Sequence, residues 1–263
     1  MNILDKIVAA KAEEVKQKKT LVPVAELEAT DLFSAPCRSL VSELLIPDIP
    51  GIIAEFKRRS PSKGVINDQA NIAEVAEAYQ HNGASAISVL TDEQFFGGSV
   101  DDIVYVREMI DMPILRKEFI IDEYQLTEAK SIGADVILLI AACLAPERVQ
   151  ELASFARQLG LEVLLEIHNA GELGHICEEV DIVGVNNRDL KTFTVDVNRS
   201  VELAKQIPAE KLKISESGIS RPETILLLRE HGFKGFLIGE TFMKEKSPAR
   251  AFADFIHRLK EME

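Results

Sequence analysis

Short apolar runs alternate with amphipathic stretches along most of this chain. Eight runs are rich in apolar residues, and the segments after them repeat apolar residues at the three-to-four-residue spacing of a helix. The runs are GIIAEFK (51–57), ASAISVLT (84–91), PILRKEF (113–119), DVILLIAACL (135–144), LEVLLEIH (161–168), DIVGVNNR (181–188), LKISESGI (212–219) and FKGFLIGET (233–241). The pattern predicts eight strands that alternate with helices.

The segments between the runs carry helix boundary signals. The predicted helices are 71–83, 99–110, 122–133, 145–160, 169–180, 197–207 and 221–232, with a last helix from about Ser247. Residues that favour the start of a helix are Asn71, Ser99, Asp122 and Asn169. Glycines that favour its end are Gly83, Gly133, Gly160 and Gly232.

Alternating strands and helices indicate a parallel sheet covered by helices. Eight units without a Gly/Pro/Ser-rich linker favour a closed (β/α)8 TIM barrel, an α/β fold. An open doubly wound sheet is the alternative, but the turn after the first strand reads SPSKG and not GxGxxG. We therefore predict a single domain over 1–263, with an N-terminal helical extension at 1–48 and the barrel at 49–263. A long helix over 3–19 opens the extension.

Composition and charge narrow the class of protein. The chain is 46% hydrophobic with a mean hydropathy of +0.04, which is enough for a large core, and the longest apolar run (136–144) is too short to span a bilayer. The net charge of −13 argues against nucleic acid or an anionic membrane as partner. No secretory signal is recognisable, and three cysteines without CxxC spacing predict a cytoplasmic location.

Polar residues fall at the carboxyl ends of the predicted strands, where a TIM barrel carries its chemistry. Residues two apart in a strand share a face, so these side chains share the face of their apolar neighbours. They are Glu55, Lys57, Lys117, Glu166, Asn186, Arg188 and Glu216. Any one of them is compatible with a structural ion pair. Together at one end of a barrel they predict a proton-transfer site, in which burial and neighbouring charges move pKa values toward neutrality.

Two turns have the composition of a phosphate site. SESGIS (215–220) and IGET (238–241) follow the seventh and eighth strands, where this fold often binds phosphate through glycine backbone and helix starts. A basic cluster, Lys57, Arg58, Arg59 and Lys63, follows the first strand. It is either a solvated loop or a patch that attracts a small anion.

The strand-end segments resemble one enzyme family over the whole chain. They are AEFKRRSPSKG, TDEQFFGGS, LRKEFI, LLEIH, VNNRDL, SESGI and IGETFM, in that order. The chain resembles the indole-3-glycerol phosphate synthase family of tryptophan biosynthesis. The SPSKG, NNRDL and SESGI segments are the most specific part of this resemblance.

The resemblance implies a carbon–carbon lyase reaction. The expected substrate is 1-(2-carboxyphenylamino)-1-deoxyribulose 5-phosphate, which closes to an indole ring with loss of carbon dioxide and water. Lys117 is the expected acid, and Glu166 acts in the dehydration with help from Glu55 and Asn186. Lys57 holds an anionic part of the substrate or shares in acid catalysis.

The resemblance also implies binding residues. The expected substrate contacts are Ser60, Phe96, Phe119, Leu138, Arg188, Leu190 and Glu216, the apolar members forming walls for the aromatic ring. The expected phosphate contacts are Ser217, Gly218, Gly239 and Glu240. The expected partner is a small phosphorylated substrate, and no metal or organic cofactor is implied. The oligomeric state is left open between a monomer and a weak homodimer. His168 is interpreted as a hydrogen-bonded structural histidine.

Two other functions fit a phosphate-binding barrel. A phosphosugar isomerase needs one acid–base pair and no aromatic slot, and the Phe96/Phe119 pair and SPSKG count against it. A non-catalytic phosphoribosyl-binding protein retains the phosphate loops without the chemistry. The presence of Lys117, Glu166 and Glu55 counts against that function.

Overall fold

Eight parallel strands form a closed barrel in the computed structural model, which describes residues 3–189 and 192–262. The strands are β1 (Ile52–Phe56), β2 (Ala86–Leu90), β3 (Ile114–Lys117), β4 (Val136–Ile140), β5 (Glu162–Ile167), β6 (Ile182–Asn186), β7 (Leu212–Glu216) and β8 (Gly235–Ile238). Each strand pairs with its neighbours in the chain, and β8 pairs with β1 to close the barrel. The predicted TIM barrel is confirmed, and the open sheet is excluded.

Helices surround this barrel and precede it. They are α1 (Ile3–Leu21), α2 (Val24–Glu28), α3 (Asp31–Ser34), α4 (Leu40–Leu45), α5 (Ile72–His81), α6 (Glu93–Phe96), α7 (Val100–Arg107), α8 (Glu123–Ser131), α9 (Pro146–Gln158), α10 (Asn198–Ala204), α11 (Pro222–Glu230), α12 (Glu240–Met243) and α13 (Pro248–Lys260). A short hairpin pairs Arg59–Ser60 with Gly64–Val65. None of the described helices has the length and apolar character that a membrane span needs.

The two-residue period of the strands separates two cores. One face points into the barrel, where Ile53, Leu115, Leu164 and Ile214 pack together. The alternate positions pack outward against the helices in a second and larger cluster. A polar residue in phase with the first set therefore points into the barrel.

The predicted boundary residues lie where the helices begin and end. The side chains of Asn71, Ser99 and Asp122 each accept a backbone N–H of the following helix. Each of the four predicted glycines directly follows the C-terminal capping residue of its helix, and their φ angles lie between 77° and 87°. A positive φ is adopted by glycine at little cost, so these glycines end their helices.

The predicted helix over 169–180 is wrong. A 3₁₀ turn, Ala170–His175, takes its place, although Asn169 does accept the N–H of Gly171 as a cap. The side chain of Glu172 turns back and accepts the backbone N–H of His168 at 2.7 Å. This hydrogen bond holds the segment against the end of β5 and so favours a tight turn over a regular helix.

The helix α4 closes the amino-terminal end of the barrel. Leu40 and Leu44 are buried within the inner cluster. The N–H of Val41 donates to Glu162 Oε2 at 3.0 Å, and Glu162 is the first residue of β5. The segment thus packs across the end opposite to the predicted site.

The helix α1 lies at the carboxyl end of the barrel. Its buried Lys11 has Nζ 3.0 Å from Asp92 and 3.0 Å from Glu118, which follow β2 and β3. Ile3, Leu4 and Ile7 of the same helix line the cavity at this end. The N-terminal segment therefore contacts both ends of the barrel.

Candidate active site

The strand-end side chains surround one cavity of about 580 Å³, a size typical of small-molecule sites. Every predicted site residue that the structure describes lines it: Glu55, Lys57, Ser60, Phe96, Lys117, Phe119, Leu138, Glu166, Asn186, Arg188, Glu216, Ser217, Gly218, Gly239 and Glu240. Leu190 lies outside the described residues. The placement is as expected, and the roles of these residues stay predictions.

The ammonium of Lys117 joins two of the carboxylates. Nζ lies 3.1 Å from Glu166 Oε2 and 2.6 Å from Glu216 Oε2. Burial lowers the pKa of Lys117, but the negative charges of Glu216, Glu166 and Glu55 outweigh it and raise the pKa above its ordinary range. Lys117 is therefore charged in the protein without ligand.

The two carboxylates differ in proton affinity. Burial tends to raise both pKa values, but Lys117 and His168 hold the pKa of Glu166 below its ordinary range. Burial and the nearby charge of Glu166 raise the pKa of Glu216 to about 7, although Lys117 opposes the shift. Oε1 of Glu216 is buried and has no hydrogen-bond partner among the described residues. An ionised and a partly protonated carboxylate thus lie side by side near neutral pH.

The expected shift of pKa values toward neutrality is correct for Glu216 and wrong for Lys117 and Glu166. The strand pattern places these side chains on one face, but it does not say which oxygen touches the ammonium. Close pairing stabilises the charged forms of both Lys117 and Glu166.

Glu55 and Lys57 pair directly at the end of β1, with Nζ 2.5 Å from Oε1. Both side chains also line the cavity. A Cβ at Gly239 would lie 2.4 Å from Glu55 Oε1, and one at Gly184 would lie 2.2 Å from Glu216 Oε1. Glycine at these two positions leaves room for the carboxylates.

The turn after β7 is held in an unusual backbone conformation. Ser217 and Gly218 have φ of 66° and 77°, and positive φ in a serine costs free energy. The buried amide of Asn187 holds this turn, because Nδ2 donates to Ser217 O at 3.1 Å and to Ser215 Oγ at 2.9 Å. Asn187 thus holds this turn through contacts within the protein.

The two glycine turns form one structural unit. The hydroxyl of Thr241, in α12, donates to Ile219 O at 2.9 Å. The side chain of Glu240 faces cations, with Oε2 3.4 Å from Arg188 and Oε1 3.7 Å from Lys63. A carboxylate repels phosphate, so a phosphate contact from Glu240 has to use its main chain.

Aromatic rings form a wall on the β2–β3 side of the cavity. The rings of Phe96 and Phe119 have centroids 5.9 Å apart and planes tilted by 40°. Leu138, at the centre of β4, belongs to the buried inner cluster below them. A flat aromatic group fits against such a surface.

The chain is similar over almost its whole length to one enzyme family. A family model described as indole-3-glycerol phosphate synthase matches residues 4–255. The chain belongs to the indole-3-glycerol phosphate synthase family. The indole-3-glycerol phosphate synthase of Bacteroides thetaiotaomicron is 50% identical over 258 residues, covering 98% of this chain and 99% of the relative.

Two further indole-3-glycerol phosphate synthases also match this chain over more than nine-tenths of its length. That of Acinetobacter baumannii (strain ACICU) is 42% identical over 252 residues, or 95% of this chain and 94% of the relative. That of Bordetella pertussis is 40% identical over 259 residues, or 97% and 99%. The similarity thus extends through both the N-terminal segment and the barrel.

The strand pattern does not predict several residues at this synthase-family site. Asn187 is one of them, because the strand period points it away from the barrel interior, yet it is buried and fixes the turn at Ser217. The N-terminal helix supplies Ile3, Leu4 and Ile7 to the cavity. A signal was present, since Lys11 interrupts the buried stripe of Ile7 and Val15 at helical spacing.

Two arginines of the predicted basic cluster have structural contacts in this synthase-family fold. Arg58 pairs with both oxygens of Asp102 at 2.5 Å and 2.9 Å. Arg59 donates to the main-chain oxygens of Glu93 and Gln94 at 2.6 Å each. Neither arginine lines the cavity, whereas Lys57 and Lys63 do. Arg58 and Arg59 are therefore engaged in structural contacts, and only Lys57 and Lys63 of the cluster face the cavity.

The acidic and imidazole side chains of this synthase-family protein do not form a metal-binding cluster in the part of the chain that the structure describes. Among residues 3–189 and 192–262, no group of three or more His, Cys, Asp or Glu side chains is arranged to hold a metal ion. The charged groups that surround the cavity instead form the ion pairs described above.

Proposed function

We propose that this protein closes the indole ring of 1-(2-carboxyphenylamino)-1-deoxyribulose 5-phosphate. The products are indole-3-glycerol phosphate, carbon dioxide and water. The observation that supports this most is the ammonium of Lys117, held between Glu166 and Glu216 beside an aromatic wall. Family membership and this geometry point to the same chemistry.

Lys117 acts first in the proposed reaction. When the aromatic carbon attacks the ribulose carbonyl, negative charge develops on the carbonyl oxygen. An ammonium fixed in a buried site stabilises that charge and delivers a proton to it. The raised pKa of Lys117 keeps it protonated at neutral pH, so it is charged when substrate arrives. Loss of carbon dioxide then removes the carboxylate from the ring carbon that made the attack.

Dehydration uses the carboxylates in this proposal. Water leaves when one group removes a proton from the substrate and another protonates the departing hydroxyl. Glu166 suits proton removal because its lowered pKa keeps it ionised. Asn186 assists from the end of the neighbouring β6 and Glu55 from the end of β1, and Lys57 binds an anionic group or shares the acid role.

The proposed binding mode aligns the substrate across the cavity. The aromatic ring lies against Phe96, Phe119 and Leu138, with Ser60 and Lys57 holding its carboxylate. Arg188 and Glu216 contact the substrate between its two ends. The phosphate lies at the joined glycine turns, where Ser217, Gly218, Gly239 and the main chain of Glu240 are its contacts. Holding the ring and the carbonyl carbon together lowers the barrier by orientation.

The setting of the enzyme is also a proposal. We place it in the cytoplasm, acting on a small phosphorylated molecule, because Cys37, Cys143 and Cys177 are free, half-buried thiols. One chain supplies all of the side chains used above, which supports activity as a monomer or as a weak homodimer.

A direct assay tests the proposed function. Purified protein and substrate, without added metal, should give indole fluorescence, and the chain's own background is low because it contains no tryptophan. Lys117→Met keeps the side-chain length but not the charge, so kcat should fall about 10²–10⁴-fold. The exposed Lys246→Met is the matched control and should retain the rate.

Two results would contradict this proposal. Release of an isomerised ribulose phosphate without fluorescence would overturn the ring-closure reaction. A folded Lys117→Met protein with the parent kcat would remove the acid role of Lys117. Circular dichroism of each variant establishes that it is folded.

A further inference from the structure

A buried histidine touches the proposed base. His168 follows β5 and shares the inward face of Glu166, two residues earlier. It is 6% exposed, and its Nε2 lies 3.1 Å from Glu166 Oε1. The imidazole and the carboxylate of Glu166 are thus close enough for an ion pair, but their geometry does not meet the angle of a hydrogen bond.

A second carboxylate lies on the other side of the imidazole. Nδ1 of His168 is 3.3 Å from Glu172 Oε2, which also accepts the backbone N–H of His168 at 2.7 Å. The other oxygen of Glu172 accepts from Asn169 Nδ2 at 2.7 Å. The unexpected 3₁₀ turn thus brings a fixed carboxylate behind the ring.

The two oxygens of Glu166 are held by different cations. Oε2 faces Lys117 Nζ at 3.1 Å, and Oε1 faces His168 Nε2 at 3.1 Å. A carboxylate held at both oxygens has little freedom to rotate, so its direction toward substrate is set by its neighbours. This is the arrangement that a base with a fixed direction needs.

We propose that His168 is a positioning residue, whose imidazolium holds Glu166 ionised and correctly oriented, with Glu172 as the counter-charge. The inference rests on the proposed role of Glu166 as a base. It replaces the earlier interpretation of His168 as a structural histidine alone.

Surrounding charges support a protonated imidazole. Burial lowers the pKa of His168, but Glu166 and Glu172 outweigh burial and raise it to about 9. Cys143, in the Ala141–Cys143 turn, lies near the same carboxylates, and burial together with Glu166, Glu172 and Asp5 of α1 raises the pKa of its thiol to about 12. The thiol is therefore neutral, and Lys117 is the other cation at Glu166.

The pH profile of kcat distinguishes positioning from a structural role. His168→Gln keeps a polar group near Glu166 but removes the positive charge. The acidic limb, where Glu166 takes up a proton, should then move up by about 1–3 pH units, the effect of losing an adjacent opposite charge. At the parent midpoint kcat should fall about fivefold or more and should recover at higher pH, with KM nearly unchanged.

The matched control is His81→Gln, an exposed histidine at the end of α5. Its substitution should leave the midpoint of the acidic limb in place. An unshifted limb in His168→Gln, with or without a uniform loss of kcat, would overturn the proposal.

A measurement on the unaltered protein separates this inference from the proposed function. Nitrogen-15 NMR of the five histidines should show one ring, absent from the His168→Gln spectrum, that stays protonated at both nitrogens up to about pH 9. A neutral His168 at pH 7.5 would overturn the inference even if His168→Gln failed to fold. Failure of the parent protein to form indole at any pH would overturn the proposed function instead.

Discussion

The inner end of the cavity concentrates more charge than a hydrophobic barrel ordinarily holds. The ammonium of Lys117 lies within hydrogen-bond distance of both Glu166 and Glu216, and both carboxylates are almost completely buried. At Glu216, burial and the negative charge of Glu166 outweigh the ammonium of Lys117. Glu216 therefore takes up a proton far more easily than an exposed glutamate.

Glu216 should give the folding free energy a measurable pH dependence. Its pKa is about 7 in the folded protein and about 4.5 in an unfolded chain, so the folded state holds an extra proton between these values. Its stabilising contribution is complete below about pH 4.5 and is lost as pH rises through 7. The unfolding free energy should fall by up to about 1.4 kcal/mol per pH unit in this window.

Urea unfolding at pH 5, 6 and 7 measures this slope. Glu216→Gln has no proton to lose and should remove that part of the dependence, whereas Glu13→Gln, on the exposed side of α1, should retain it. Equal slopes in the parent and in Glu216→Gln would show that Glu216 has an ordinary pKa.

Among the elements, α1 contacts the barrel through a buried charged side chain, Lys11. Lys11 meets Asp92 and Glu118, and those carboxylates also accept the N–H groups of Phe96 (3.2 Å) and Phe119 (2.8 Å). One ammonium in α1 therefore connects the backbone positions of both aromatic rings. The helix fixes the wall of the cavity as well as covering it.

Replacing Lys11 should destabilise the protein and loosen that wall. Lys11→Met leaves two buried carboxylates without their cation, a change that typically costs about 3–5 kcal/mol of unfolding free energy. The KM for substrate should rise because Phe96 and Phe119 lose a common anchor. Chemical denaturation and steady-state kinetics measure the two effects.

The exposed Lys16→Met, on the same helix, is the matched control and should change neither quantity measurably. A Lys11→Met protein of parental stability would show that Asp92 and Glu118 do not depend on this ammonium.

The elements themselves were largely predictable from the sequence. All eight strands lie within the apolar runs, because apolar content and the two-residue period report directly on burial in a sheet. The runs extend past the strands, however: 135–144 contains β4 and then a 3₁₀ turn at Ala141–Cys143. Apolar composition alone does not mark where a strand stops.

The remaining features depend on contacts between distant segments. The turn at 170–175 is held against the rest of the molecule by His175, whose ring contacts the main-chain oxygen of Leu144, 31 positions away. Likewise, the pairing of Arg58 with Asp102 joins residues 44 positions apart. Local spacing carries no record of such partners, so the prediction of a helix at 169–180 was wrong, and the structural contacts of Arg58 and Arg59 were not predicted.

On the scale of the whole molecule, the N-terminal segment packs against both ends of the barrel. Leu40 and Leu44 belong to the inner cluster, while Ile7 lines the cavity at the opposite end. We propose that residues 1–263 form a single domain, with 1–48 as an extension of the barrel at 49–263.

Hydrogen exchange tests whether that domain unfolds as one unit. A ligand at 100 times its Kd stabilises the folded state by about 2.7 kcal/mol, equivalent to about 100-fold slower exchange through global unfolding. Indole-3-glycerol phosphate bound in the cavity should slow exchange equally in the barrel strands and in α4. Protection of the strands without α4 would indicate that the segment unfolds separately.

The position of α4 has one more consequence. Leu40 and Leu44 pack into the amino-terminal end of the barrel and close it. Substrate and product therefore pass through the opposite end, which α1 partly covers. The substrate enters and the indole product leaves through the same opening. Each turnover therefore requires the product to leave the cavity before the next substrate molecule binds. Accumulated product should therefore compete with incoming reactant for the same space.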